Sequence, residues 1–360
     1  MFVTGVVTDP VQGGQVMLWH LSADGHTVTP IVIGSGDEAL PPVLNDSDSV
    51  YAAHAGGVVR LSSHVIGSHN DTIASARPVG GLCLAGRPDR PFLAWPTIDR
   101  QVVLYQEQAL LTLTVDLAPL GRFDGTLFAP LGNGAGTRVL ITSSGGSIAA
   151  IEIGTNPVGV VAHADLDTAL FGPPVEVSGV VYLATTTGIL MALREAGEGF
   201  DPIWTLDLKG LPAGRLLVDG ANDIVVARED GTVLVVRDGG AFGSVFASAS
   251  VGMPLGRHAP LVTDHGRILG MGHDGSVVWS LVRSIEADGG LKLSPGLWFE
   301  VPIAAVSDAN LLDRRLLFAT ASGHLVAYLL AEELPSTGFG RAGGDVHNRN
   351  RMRVLQGEMP

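Results

Sequence analysis

The side chains with the chemical range to act are few here, and their spacing assigns most of them to turns. Asn45-Asp46-Ser47-Asp48 has the oxygen-rich character of a calcium loop. It lacks the Gly and the distant Glu of an EF-hand and stands where a turn is wanted, so calcium finds no further support. His54, His64 and His69 are not at the separations that bring imidazoles together on one helix or strand. Ser143-Ser144-Gly145-Gly146-Ser147 has the look of a nucleophile or phosphate loop. A nucleophile elbow, however, needs Gly-x-Ser-x-Gly between strand and helix, and a P-loop needs Gly-Lys-Ser or Gly-Lys-Thr. Asp230 and Asp274 could serve as paired carboxylates, yet each precedes a Gly at the same place in a repeat, which is turn chemistry. Cys83, the only cysteine, lies between Leu82 and Leu84 and reads as a small core residue with no intrachain disulfide to form. No catalytic, cofactor-binding or metal-ligating residue is assigned.

Binding residues are sought instead in the longer or irregular connections, because loops carry recognition on a rigid scaffold. Three segments qualify: Arg87, Asp89 and Arg90 within Arg87-Pro88-Asp89-Arg90; Asn133 within Gly132-Asn133-Gly134; and Glu286 and Asp288 within Glu286-Ala287-Asp288-Gly289. The chain has 22 Lys and Arg against 36 Asp and Glu, a formal charge of −14, which opposes phosphate-backbone binding and excludes nucleic acid as a partner. Arg341, Arg349, Arg351 and Arg353 cluster near the C-terminus and read as a solvated charge run. The most apolar segment, Leu316 to Leu330, is broken by Thr320, Ser322, Gly323 and His324 and is too short to span a bilayer. Met1 to Val7 has neither the basic nor the long apolar region of a signal peptide.

The elements that position these residues repeat. With 46% hydrophobic residues, 48 Gly and little sign of helix-forming stretches, the chain can bury a large core through short strands and tight turns. A strand, a Gly-bearing turn and a second strand recur, most clearly as Val181 to Ala184, Thr187-Gly188 and Ile189 to Leu193. Turn markers at positions 14, 57, 100, 146, 188, 231, 275 and 323 are 43, 43, 46, 42, 43, 44 and 48 residues apart. Short apolar strands such as Pro42-Val43-Leu44, Pro174 to Val177 and Pro260-Leu261-Val262 precede the hairpins, giving four strands in about 43 residues, the size of a propeller blade. The expected fold is an all-β propeller of about eight four-stranded blades, seven being the alternative, over residues 1–332, followed by an extended or partly disordered tail at 333–360.

The unit Gly188-Ile189-Leu190-Met191-Ala192-Leu193, with Gly197 and then Trp204, resembles the PQQ-like repeat of bacterial β-propellers, the repeat of the quinoprotein alcohol dehydrogenases. Elsewhere Gly231, Gly275 and Gly323 keep the turn and Trp298 the outer-strand aromatic. The resemblance implies a non-catalytic interaction module for a protein or glycan, extracellular, at the cell surface or periplasmic, with the cytoplasm as the alternative. It does not imply PQQ, since quinoprotein enzymes of this fold carry a vicinal cysteine pair that the single Cys83 excludes. No cofactor is expected. The competing expectation is an enzyme acting on carbohydrate through carboxylates over a central channel. The first repeat starts directly with its hairpin and the eighth has no clear outer strand, so an upstream segment of the same polypeptide is expected to close the ring.

Overall fold

The computed structural model describes residues 2–330 apart from 10–12, 22–27, 37–39, 41, 45–48, 63–70, 75, 88–89, 122, 133–136, 154–156, 257, 259, 264, 302–304, 306–309, 313–314 and 321–324. The expected tail and the Asn45–Asp48 segment therefore lie outside the described residues. The described residues form two compact units, one up to Asp165 and one from Leu166. One turn of 3-10 helix, Ala118–Leu120, is the sole helix among the described residues, and no helix is long and apolar enough to cross a membrane.

Both units consist of antiparallel sheets whose strands lie side by side in chain order. In the first unit these are Phe2–Asp9, Gly13–Leu21 and Val28–Ser35; Val43–Leu44, Ser49–His54, Gly57–Ser62 and Asp71–Ala74; Cys83–Arg87, Arg90–Pro96, Gln101–Gln106 and Leu111–Asp116; and Leu131–Gly132, Arg138–Thr142, Ser147–Glu152 and Gly159–Asp165. The second unit adds Val175–Val177, Val180–Ala184, Ile189–Ala196 and Gly199–Asp207; Pro212–Val218, Ile224–Arg228, Thr232–Asp238 and Gly243–Ser250; Leu261–Val262, Ile268–Met271, Val277–Ile285 and Leu291–Glu300; and Asn310–Leu312, Arg315–Ala319 and Leu325–Leu329. The four strands of a sheet are called a to d in chain order. The three described strands of the first sheet match b to d, and those of the eighth match a to c.

In a sheet flanked on either side within its unit, strands b and c are apolar because they are covered on both faces. Successive side chains of a strand point to opposite sides. In the second sheet Val50 and Ala52 accordingly pack with Val16 and Leu18 of the first, while Tyr51 and Ala53 pack with Leu93 and Trp95 of the third. The seventh sheet divides the same way: Ile268, Trp279 and Leu281 join Val225, Val233 and Val235 of the sixth, and Leu269, Met271 and Val278 join Leu316 and Phe318 of the eighth. Each fully buried Val, Leu or Ile contributes about 1.5–3 kcal/mol. Strand d is covered on one side only, so its burial alternates, as in Leu111–Asp116 and Gly243–Ser250. A register shift between c and d recurs at Val16/Met17, Val58/Val59, Ala150/Ile151, Ala192/Leu193, Val235/Val236 and Trp279/Leu281, adding twist where the sheet turns outward.

The b–c turns are closed by short-range bonds. The side-chain oxygens of Thr97, Ser143 and Thr185 accept the amides of Gln101, Ser147 and Ile189 at 3.3, 3.2 and 3.0 Å. Gly231 takes φ +87°, and a Cβ there would stand 2.1 Å from the Met253 carbonyl oxygen, so both backbone and space demand glycine. The end of strand d returns to this turn, with the Val251 amide donating to the Gly231 carbonyl at 2.9 Å. Arg100 holds the corresponding turn at φ +59° without glycine. Gly13 and Gly14 depart from the expected turn role, since they pair with Asp9 and Thr8 inside the first hairpin. Gly14 is small because a Cβ would meet the Gly36 carbonyl oxygen at 2.2 Å, where strand d leaves the sheet.

Neighbouring sheets are also tied by a repeated polar contact. The hydroxyl of Tyr51, in strand b of the second sheet, donates to Glu107 Oε2 at the c–d turn of the third, 2.6 Å away and 56 residues on. Tyr182 in the fifth sheet donates to Asp238 Oδ2 of the sixth over the same 2.6 Å and the same 56 residues. Trp204 Nε1 adds a 3.0 Å bond to Asp238 Oδ1, and Arg60 Nε lies 2.8 Å from Glu107 Oε1. Burial, then the bond to the carboxylate, raises both tyrosines far above the usual 10.0. A phenol whose folded pKa is raised stabilises the fold below the unfolded value and loses that contribution as pH climbs past it. Urea-unfolding midpoints should therefore fall as pH rises above about 10. Tyr51→Phe and Tyr182→Phe should flatten that fall and cost roughly 1–2 kcal/mol each at neutral pH, since a part-buried carboxylate loses its donor.

Candidate functional site

Paired carboxylates are the first feature to examine for chemistry, and the second unit holds one buried pair. Asp219 and Asp223 bracket the a–b turn of the sixth sheet, where Asn222 takes φ +66°. Asp219 Oδ1 accepts the amides of Ala221 and Asp223 at 2.8 and 2.9 Å, which folds the turn around its own side chain. Asp223 receives Arg237 in a fork, Nε to Oδ1 at 2.8 Å and Nη2 to Oδ2 at 2.9 Å. Arg283, on strand c of the seventh sheet, reaches Asp223 Oδ2 through Nη2 at 2.8 Å and Asp219 Oδ2 through Nη1. The guanidinium of Arg237 lies 3.6 Å from the centre of the Phe246 ring. Its bonds to Asp223 raise the Arg237 pKa, and burial lowers that of Arg283.

Two carboxylates matched by two guanidiniums make a neutral network that joins two sheets. The oxygens of both carboxylates are taken up by these bonds and by the turn amides. The turn carboxylates Asp230 and Asp274 likewise accept the amides of Thr232 and Ser276 at 2.9 and 3.0 Å, as their place before Gly led us to expect. Among the described residues no group of three or more His, Cys, Asp or Glu is placed to hold a metal ion. His54 ends strand b of the second sheet, where its Nδ1 accepts the Gly56 amide at 3.1 Å and burial lowers its pKa. His64 and His69 lie outside the described residues. Cys83 is buried in strand a of the third sheet.

The six residues expected to bind a partner fall in separate places. Arg87 and Arg90 are paired at the ends of strands a and b of the third sheet. Asp89 and Asn133 lie outside the described residues. Glu286 and Asp288 share the exposed c–d turn of the seventh sheet. There Glu286 Oε1 lies 3.5 Å from Lys292 Nζ, and Asp288 Oδ1 accepts the Gly290 amide at 2.8 Å. This turn has a feature that sequence reasoning missed: large apolar side chains left in solvent beside it. Ile285 is 65% exposed, and Phe242, at the c–d turn of the sixth sheet, is 63% exposed. Val245, Val282 and Leu329 are exposed at the same c–d ends in the second unit, as are Leu110 and Leu111 in the first. The signal available was a Phe or Ile inside a short Gly-bearing turn, where solvation favours polar residues.

Breaking the ion network should be costly. Arg283→Met leaves the buried carboxylates of Asp219 and Asp223 short of a counter-charge, and chemical unfolding should show a loss of about 3–5 kcal/mol. Adding Asp219→Asn and Asp223→Asn to Arg283→Met, which removes the charges but keeps an acceptor for the turn amides, should recover part of that loss.

No family profile and no curated protein matches the sequence. Solved structures do match in fold. The β-propeller domain of Cps50 (Swd1) from Myceliophteria thermophila superposes with a TM-score of 0.58 at 12% identity, over 83% of this chain and 99% of that one. BamB from Moraxella catarrhalis gives 0.59 at 14% identity, over 92% and 98%. A chain of the mitotic checkpoint complex gives 0.58 at 11% identity, over 82% and 86%. Sheets of four antiparallel strands in chain order, packed face to face and shared with these structures, make the fold an all-β propeller.

Proposed function

We propose that the chain is a non-catalytic propeller module that docks a partner protein at the c–d ends of its sheets. The observation that carries this reading is the exposure of Phe242 and Ile285 at the c–d turns of consecutive sheets in the second unit. Large apolar side chains exposed at turns that rigid sheets support are a mark of a protein-binding site. Support also comes from the inward commitment of Asp219, Asp223, Glu107 and Asp238, each bonded to arginine, tyrosine or tryptophan partners. The similar chain of the mitotic checkpoint complex is itself part of an assembly. The reading includes export of the protein, which rests on the PQQ-like repeat around Gly188 to Leu193 alone.

Site-specific photo-crosslinking in the cell that makes the protein tests this. A benzophenone side chain at position 242 or 285 should yield a discrete crosslinked protein. The same probe at Leu211, exposed at the opposite end of the sixth sheet, should not. Equal products from all three positions, or none from 242 and 285, would remove the docking reading.

A further inference from the structure

The edge of a sheet presents unpaired backbone groups, and stable proteins blunt it with charge, proline or brevity. Six of the seven outer strands described here do so. Val28–Ser35 holds Pro30, Gly199–Asp207 holds Asp201 and Pro202, and Leu291–Glu300 holds Lys292 and Pro295. Asp71–Ala74 is short, and Leu111–Asp116 and Gly159–Asp165 end on carboxylates. The outer strand of the sixth sheet, Gly243-Ser-Val-Phe-Ala-Ser-Ala-Ser250, has eight residues with neither a charge nor a proline.

We propose that this strand is a docking edge for an extended segment of another protein, one that alternates apolar with basic residues and adds a further strand to the sheet. The inference rests on the protein-docking reading above and names its mode. The geometry of the edge follows from the ladder. Val251 donates to Gly231, and bonded and non-bonded pairs alternate along antiparallel strands. Ala249 and Ala247, opposite Val233 and Val235, therefore turn their backbone groups inward. Ser248 and Ser250 turn theirs to solvent. Apolar anchorage is at hand in Val245 on the strand and Phe242 beside it, both exposed. Charge selects the partner's polar residues: the neighbouring outer strands expose Asp201 and Glu300, while Lys292 lies near Glu286 and Asp207 is held by Lys209. An acidic chain of net −14 reinforces the preference for a basic segment. Main-chain bonds would then give affinity, with side-chain alternation giving register.

The full chain should be titrated with a fluorescein-labelled peptide of alternating Val and Lys, read by anisotropy and by amide hydrogen exchange. Binding should protect the amides of Ser248 and Ser250. Ser248→Pro removes an outward N–H at an edge position that tolerates proline, and it should weaken binding at least about tenfold. Val245→Lys, at an exposed side chain that the fold does not need, should do the same. Binding unchanged in both variants, protection elsewhere, no binding at all, or equal binding of a Val and Glu peptide would each overturn the inference. Crosslinking at position 242 is indifferent to strand addition, so its success alongside those results would leave the docking reading standing.

Discussion

Within each unit, a sheet that has a neighbour on either side depends on one constraint, the burial of strands b and c from both sides. A strand with two covered faces has no side on which a polar residue can be discarded, and a one-residue slip in register would exchange its two neighbours. Val50 and Ala52 must suit the first sheet while Tyr51 and Ala53 suit the third. This is why the central strands read as unbroken apolar runs, although Trp95 Nε1, Thr142 Oγ1, Trp279 Nε1 and Ser280 Oγ are buried there without a hydrogen-bond partner. Tyr51 and Tyr182 are admitted because Glu107 and Asp238 receive their hydroxyls.

The same constraint governs the turns. Sheets packed closely leave no room where strand d returns to the b–c turn, so Gly231 stands against the Met253 carbonyl, and within the first hairpin Gly14 stands against the Gly36 carbonyl. The c–d turns face the opposite requirement. They reach the end of the preceding sheet, and Asp238 holds its turn there by accepting Tyr182, Trp204 and the Gly240 amide. Burial works to raise the pKa of Asp238, but those bonds prevail and lower it. Turns pinned in this way are rigid mounts for whatever they expose.

Much of the architecture was legible because the period of the turns and the apolar runs are local properties of the chain. The short strands led by Pro42, Pro174 and Pro260 form as read, at Val43–Leu44, Val175–Val177 and Leu261–Val262. The assignment of Asp230 and Asp274 to turn chemistry agrees with their bonds to Thr232 and Ser276. What escaped reading depends on which residues of different repeats meet. Arg283 lies 60 residues from Asp223, and no spacing rule joins a strand c arginine to the a–b turn of the sheet before it.

Repetition also changes how a departure from pattern should be weighed. When most outer strands carry the same kind of protection, packing alone offers no reason for one strand to go without, because strand d has a solvent-facing side on which Lys, Asp or Pro costs little. The charge-free edge of Gly243–Ser250 thus exposes backbone donors and acceptors that any neighbouring chain could pair. Water satisfies them at little net loss in the isolated molecule, while pairing with another strand exchanges those waters for a ladder and covers Val245 and Phe242 as well. An edge of that kind favours association in any state in which a suitable strand is near. The acidic flanks raise the electrostatic cost for strands of the same sign and lower it for basic ones, which turns a general liability into a selective contact.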